Sequence, residues 1–406
     1  MKEEHRIRCE QSYTVLVTLM TKIVRQLQVS KPQLKAMEEL FNVILTMHGR
    51  VNFMNLSRYS HLCERTFRRW FLRPFGFVNL NHEIISHLPK GEYIAAMDGV
   101  IQTKSGKKTF GVGIFWSTIQ KKTVRAIESS SIALVHLGLN QAFSLDNRQT
   151  TGKVKKTVSR MDQYVAHLKD RTSDILKYTT YIVVDGFYAK QKFIAQALKG
   201  KLNVISRLRI DANMQFLFEG TQKRSQGRRK RFDGKFNLQN IDRLTLVKKE
   251  KEKRIYEGLV YNMTLKQIIK IVVIIGKKGE AVMLFSTDCN LPAQKVMEYY
   301  SARFQIELLF RDAKQHAGFG QCQSRNKNAL NFHFNTTMTT VNFAKLEILQ
   351  KNGFDPSISL SIDNFKRKRF NEYFIELIIS MLGINPNLIV SNVNYQNIIN
   401  YGTLAA

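Results

Sequence analysis

Over the first 90 residues apolar positions recur every three or four residues, and no stretch alternates as a strand would. On this spacing Ser12 to Leu27 and Lys31 to Met47 are predicted to be amphipathic helices. In FMNLSRYSHLCERTFRRWF, residues 53 to 71, Leu56, Tyr59, Leu62 and Phe67 line one side of two short helices joined near Cys63 and Glu64. Arg58, Arg65, Arg68 and Arg69 remain outside. This is the outline of a helix-turn-helix whose second helix enters a major groove, or of a helical hairpin with a solvated basic face.

Near residue 91 the pattern changes. EYIAAMDGV, KTFGVGIFWS and SSSIALVHL are short apolar segments rich in β-branched and aromatic residues, the mark of strands. A helix is predicted over Thr157 to Lys177. The segment YIVVDGFYAKQKFIAQAL then predicts a buried strand, an Asp at its end and a helix directly after. LNVISRLRID, RLTLVKKE, RIYEGLVYN, IKIVVIIG and AVMLFSTD predict further strands. From Pro292 to about Lys314 the periodicity is helical again, and the rest is mainly helical with an Asn-rich tail. The longest apolar run, Ile268 to Ile275, is interrupted by Lys270 and falls well short of the ~20 residues that span a bilayer.

Composition narrows the partner. A 406-residue chain with 44% hydrophobic residues is long enough for two or three domains and has an interior to bury, which argues against disorder. It carries 63 Lys and Arg against 32 Asp and Glu, a net charge of +31, which calls for a polyanion and most simply for nucleic acid. Charge alone does not separate an enzyme from a passive binding protein. The run TQKRSQGRRKRFDGK, residues 221 to 235, holds seven Lys or Arg, among them Arg228, Arg229, Lys230 and Arg231. It reads either as a loop touching DNA phosphates, the version the overall charge favours, or as a plain solvated loop. Cys9, Cys63, Cys289 and Cys322 have no C-x-x-C spacing and no accompanying histidines, so neither zinc nor a disulfide framework is expected. The N-terminus carries both charge signs and no apolar h-region, so a cytoplasmic location is expected.

Two aspartates, Asp98 in AAMDGV and Asp185 in IVVDGF, each end an apolar strand and precede Gly. A carboxylate there either caps the next turn or binds something cationic, because an unpaired buried charge is costly. In EYYSARFQIELLFRDAKQH, Tyr300, Arg303, Glu307 and Lys314 fall within roughly 60° of one another on a helix surface. Phe304, Ile306, Leu308, Leu309 and Phe310 on the same segment predict a packed helix, whose polar stripe must face something polar.

The spacing Tyr300-x2-Arg303-x3-Glu307-x6-Lys314 resembles the Y-R-E-K signature of DDE transposases of the insertion-sequence group called IS-four. Asp98, Asp185 and Glu307 match that group's acidic triad in order and context, and LFSTD, Leu284 to Asp288, also resembles it. The resemblance covers about residues 91 to 325. It implies an α/β fold with an RNase H-like core and mixed sheet, over residues 91–210 and 290–335. A β-rich insertion at 211–289 interrupts the core; outside the resemblance, the periodicity adds a helical DNA-binding domain at 1–90 and a helical C-terminal region at 336–406, a candidate for dimerisation. The resemblance further implies two Mg²⁺ ions per active site, replaceable by Mn²⁺, held by Asp98, Asp185 and Glu307. Tyr300, Arg303 and Lys314 would grip phosphates near the transposon end. The partners implied are double-stranded DNA and a second copy of the chain, with no membrane. The reaction implied is binding of terminal inverted repeats, nicking at the element 3′ ends and joining them to target DNA. A nuclease that cuts without joining and a silent DNA-binding regulator are the alternatives.

One departure stands out. Some relatives stack a flipped base on a tryptophan of the insertion, whereas Trp70 and Trp116 both lie outside it here. Phe216, Phe218, Tyr256 and Tyr261 are aromatic residues that remain there.

Overall fold

Strand pairing sets the frame. The computed structural model describes residues 18–117, 120–151, 158–222 and 229–404. The beginning of the helix expected from Ser12, Cys9 and Arg228 lie outside the described residues. Within them the strands are β1 (Tyr93–Thr103), β2 (Gly113–Ser117), β3 (Lys122–His136), β4 (Gln141–Thr150), β5 (Tyr181–Val184) and β6 (Asn203–Leu208). There follow β7 (Met214–Leu217), β8 (Phe232–Lys235), β9 (Thr245–Lys249), β10 (Lys253–Asn262), β11 (Gln267–Gly276) and β12 (Ala281–Ser286). All twelve form one sheet ordered β2-β3-β1-β5-β6-β12-β11-β10-β7-β8, with β4 on β3 and β9 on β10.

The sheet is mixed and mostly antiparallel. β1 is antiparallel to β3 from Tyr93↔His136 to Thr103↔Ala126 and parallel to β5 with Met97 opposite Val184. β5 is in turn parallel to β6. The residues expected as a separate β-rich insertion continue this same sheet, because β12 pairs antiparallel with β6, Phe285 opposite Ser206.

Thirteen α-helices surround the sheet among the described residues. The N-terminal ones are α1 (Thr18–Arg25), α2 (Lys31–Thr46), α3 (Phe53–Arg58), α4 (Glu64–Phe71) and α5 (Phe77–Ser86). Asn52 caps α3 by accepting the Asn55 N–H at 2.9 Å. Leu56 and Phe67 are buried while Arg58, Arg65, Arg68 and Arg69 are exposed, as the periodicity predicts. The pair does not stand apart, however. Phe71 at the end of α4 is buried, its ring 4.6 Å from that of Phe332, so the N-terminal helices share one continuous core with the sheet.

The later helices are α6 (Arg160–Ile175), α7 (Gln191–Lys199), α8 (Ala293–Ala302), α9 (Phe304–His316), α10 (Lys327–Lys351), α11 (Ile362–Leu382), α12 (Pro386–Val390) and α13 (Tyr395–Ile399). Among the described residues no helix is long and apolar enough to cross a membrane. The line expected between core and C-terminal region, at 335–336, falls inside α10, which is buried along most of its length.

α10 also explains a strand that periodicity misses. β4 (QAFSLDNRQT) is polar on both faces yet buried, because its second edge is completed by asparagines of α10. Asn331 Oδ1 accepts the Gln149 N–H at 2.9 Å, and Asn335 Oδ1 accepts the Asn147 N–H at 3.0 Å. Asn342 accepts the Ser144 N–H and donates to the Ser144 carbonyl, both at 2.8 Å. Side chains of a helix thus satisfy backbone groups that another strand would otherwise pair.

His333, also on α10, is buried, with Nε2 2.9 Å from the Gly318 carbonyl. Burial pushes its pKa down to about 4 from the ordinary 6.5. The unfolded chain therefore takes up this proton near pH 6.5 and the folded chain only near pH 4. Stability is expected to fall as pH drops through that window, by ~3 kcal/mol from this group. Denaturant unfolding at pH 7 and near pH 4.5 checks it: His333→Asn should flatten the dependence, and an unchanged slope would refute the assignment.

Candidate active site

Asp98 and Asp185 come together through register. Parallel pairing of β1 with β5 ends at Met97 opposite Val184, so the two aspartates are the next residues on adjacent strands. Asp185 follows the last residue of β5, as expected. Asp98 does not end its strand: β1 continues to Thr103, because β3 goes on pairing with it after β5 has stopped. Nor does an α-helix begin directly after Asp185. A single 3₁₀ turn, Gly186–Tyr188, intervenes before α7.

The glycine after each aspartate has a steric cause. A Cβ on Gly99 would sit 2.9 Å from Tyr164 Oη and 3.3 Å from Glu128 Oε1. A Cβ on Gly186 would sit 3.2 Å from the Arg207 carbonyl oxygen. Each aspartate also accepts the N–H of its own glycine at 2.7 Å through Oδ1. Tyr164 and Glu128 cannot swing away easily, since Arg160 bonds to both. Gly99→Ala is therefore expected to cost about 1–3 kcal/mol of stability. It should also displace Asp98 enough to slow any Asp98-dependent reaction about tenfold or more; an unchanged denaturation midpoint would refute the clash.

The third carboxylate arrives from the helical side. The expected single helix is broken at Arg303: Tyr300 lies on α8, and Glu307 and Lys314 lie on α9. Arg303 keeps helical angles, φ −51° and ψ −33°, so the residues on either side remain near one another. Its guanidinium lies 5.8 Å from the Tyr300 ring centre. Arg303 Nη2 donates to Glu307 Oε1 at 2.7 Å, while Nη1 is 3.5 Å from Asp98 Oδ2. One cation thus bridges two of the three carboxylates, and its Nε is buried without a partner. Lys314 is exposed and has no ion pair among the described residues. Ile306, Leu309 and Phe310 are buried as predicted, whereas Phe304 is exposed and Leu308 half-buried.

Asp98 feels its neighbours. Burial pushes its pKa up to about 6, with the charges of Asp185 and Glu307 adding, against the Gly99 N–H and Arg303. An acid so placed favours a cation beside it. Among the described residues no three His, Cys, Asp or Glu side chains are gathered closely enough to hold an ion as they stand. The donor chemistry nevertheless fits a hard divalent ion: Asp98 and Asp185 are next to one another in register, and the Arg303 guanidinium links Asp98 to Glu307.

Several neighbours were not singled out in the sequence. Glu128, 1% exposed on β3, pairs with Arg160 and Thr150 beneath Gly99. Arg160 also lies 5.6 Å from the ring centre of Phe187, two residues after Asp185. The available signal was a Glu inside the otherwise uncharged strand segment AIESSSIALV, a charge that must find a partner when buried. A cleft of about 1210 Å³ opens from Gly186, next to Asp185, past Arg207 and Arg209 to Asn237 and Gln239. Phe216 and Tyr256 are buried. Of the expected phosphate contacts in the basic run, Lys230 bonds to Asp233 at 2.8 Å, and Arg229 and Arg231 are exposed.

A family model described as the transposase DDE domain matches residues 138–343, a span that holds Asp185, Tyr300, Arg303, Glu307 and Lys314 and begins after Asp98. A comparison with curated proteins finds no match.

Proposed function

The chain belongs to the DDE transposase family, and from that premise we propose that it is an insertion-sequence transposase of the IS-four type whose active site is Asp98, Asp185 and Glu307. The observation that carries this reading is the Arg303 bridge between Asp98 and Glu307, beside an Asp185 that is next in register to Asp98. Three acids and a guanidinium drawn from β1, β5 and the α8–α9 junction have no packing purpose that apolar residues would not serve better. An RNase H-like core is supported by the strand order β4-β3-β1-β5-β6, with β1, β5 and β6 parallel.

The three carboxylates would hold two Mg²⁺ ions, or Mn²⁺, which supply an activated water or DNA 3′-OH and stabilise the departing 3′-oxygen. Arg303 turns from Glu307 to grip a phosphate with both Nη groups, Nε being already unpartnered. Tyr300 and the exposed Lys314 hold the same strand on either side. The exposed arginines Arg58, Arg65, Arg68 and Arg69, with Arg229, Lys230 and Arg231, take duplex phosphates farther out. Binding of terminal inverted repeats, nicking at the element 3′ ends and joining to target DNA follow as the reaction sequence. Two ends need two active sites, so a homodimer works on paired ends; the exposed Phe374, Met381 and Leu382 of α11 offer it a surface.

The test incubates the protein with Mg²⁺ and DNA bearing the inverted repeats that bracket its gene. Nicks at the repeat ends followed by joined products are expected. Binding without nicking would leave a silent regulator, and nicking without joined products would leave a plain nuclease.

A further inference from the structure

The hairpin of β2 and β3 carries an unusual face. Ile114 and Trp116 are 67% and 63% exposed, although they belong to a paired strand. Pairing sets Ile114 opposite Arg125 and Trp116 opposite Thr123, so the two apolar side chains share one face with an exposed guanidinium. A soluble chain gains about 1.5–3 kcal/mol from burying each such side chain, so two kept adjacent and bare call for a partner.

The exposure does not come from loose packing. Phe115, between them and on the opposite face, is 5% exposed and lies 5.2 Å from the Arg160 guanidinium. That guanidinium also stacks on Phe187 and pairs with buried Glu128, which ties the hairpin to the turn that follows Asp185. β2 begins opposite Ala126, the partner of Thr103, five residues beyond Asp98 along β1. Ile114 and Trp116 lie level with positions six and eight residues past Asp98 and two strands to the side, so at ~3.3 Å per residue and ~4.8 Å per strand they stand roughly 22 and 28 Å from the carboxylate. On duplex DNA that is about six to eight base pairs.

Charge selects the partner. Residues 101–125 contain six Lys or Arg and no Asp or Glu. Lys104 is spent on the carbonyls of Gly320 and Cys322, but Lys107, Lys108, Lys121, Lys122 and Arg125 are exposed. An apolar protein surface would leave these cations uncompensated. DNA offers phosphates to the cations and base faces to the side chains between them, the pairing that minor-groove wedges use.

We propose that the outward face of the β2–β3 hairpin is a wedge for duplex DNA, Ile114 and Trp116 pressing on a base step while Arg125 and its flanking lysines hold the phosphates. The inference rests on the DNA-transposase reading and adds to it a contact more than half a helical turn from the cut.

The two tryptophans provide the test. Trp70 is 4% exposed, so quenching of the full-length protein by acrylamide reports chiefly on Trp116. Adding mixed-sequence duplex DNA, or duplex bearing the terminal repeats, in Mg²⁺-free buffer should quench this emission and shield it from acrylamide. Trp116→Ala should weaken binding about 5- to 100-fold, and Trp116→Phe should retain most of it. Arg125→Ala should lower the salt dependence by about one phosphate contact. A complex seen by mobility shift in which Trp116 stays fully open to acrylamide would overturn the wedge and leave the transposase reading intact. Absence of any complex with either duplex would overturn both. The wild-type quenching decides the matter even if Trp116→Ala fails to fold.

Discussion

Glu307→Gln is expected to abolish DNA cleavage, lowering the rate by about 10³-fold or more, while duplex binding stays within a fewfold of wild type. The size follows from the proposed site, in which Glu307 would be one of three anionic ligands to ions that stabilise the transition state by several kcal/mol, at about 1.4 kcal/mol per tenfold. The fold should not notice. Glu307 lies in the first turn of α9 with its side chain 42% exposed, and Gln keeps an oxygen for the Arg303 Nη2 donor, now 2.7 Å away. A single-turnover nicking assay beside a mobility shift reads both quantities. Wild-type cleavage by the variant would remove Glu307 from the site; loss of binding along with cleavage would point to a misfolded chain, which circular dichroism separates.

The largest effect on stability is expected at Asn342. This residue is fully buried on α10 and joins three elements at once. It accepts the Ser144 N–H, donates to the Ser144 carbonyl on β4 and donates to Asn81 Oδ1 on α5. Asn81 in turn donates to the Leu145 carbonyl and accepts from Thr339. Leucine at 342 has nearly the same volume but strands the Ser144 backbone pair in a dry interior. Each unsatisfied buried group costs about 1–3 kcal/mol, so Asn342→Leu, which strands two, should lose about 2–6 kcal/mol. Urea unfolding measures it, and a loss below about 1 kcal/mol would mean that the asparagine ladder does not complete β4.

That ladder also shows where reading a sequence stops. Strands such as β1, β5 and β11 are legible because they are runs of apolar residues, most of them buried. β4 is not, because Ser144, Asp146, Asn147 and Gln149 resemble solvent-exposed residues. The backbone N–H groups of Ser144, Asn147 and Gln149 find partners nearly 200 positions away on α10, and the Asp146 carboxylate finds His167 and Arg171 on α6, none of which a local window contains. The break at Arg303 was invisible for a related reason. Its backbone stays helical, and only the hydrogen-bond register shows that Tyr300 and Glu307 belong to different helices.

By itself the sequence determined which residues carry charge and where the chain turns from helical to strand-like. It determined that two Asp-Gly pairs and a Tyr-Arg-Glu-Lys stripe exist, since these depend on residue type and on neighbours a few positions apart. Only the tertiary structure decided that Asp98 and Asp185 are adjacent, that Arg303 reaches both Asp98 and Glu307, and that the expected insertion prolongs the core sheet. The reason is physical. Periodicity is set by the geometry of one element, whereas strand register and helix docking are set by which distant surfaces exclude water and satisfy each other's backbone.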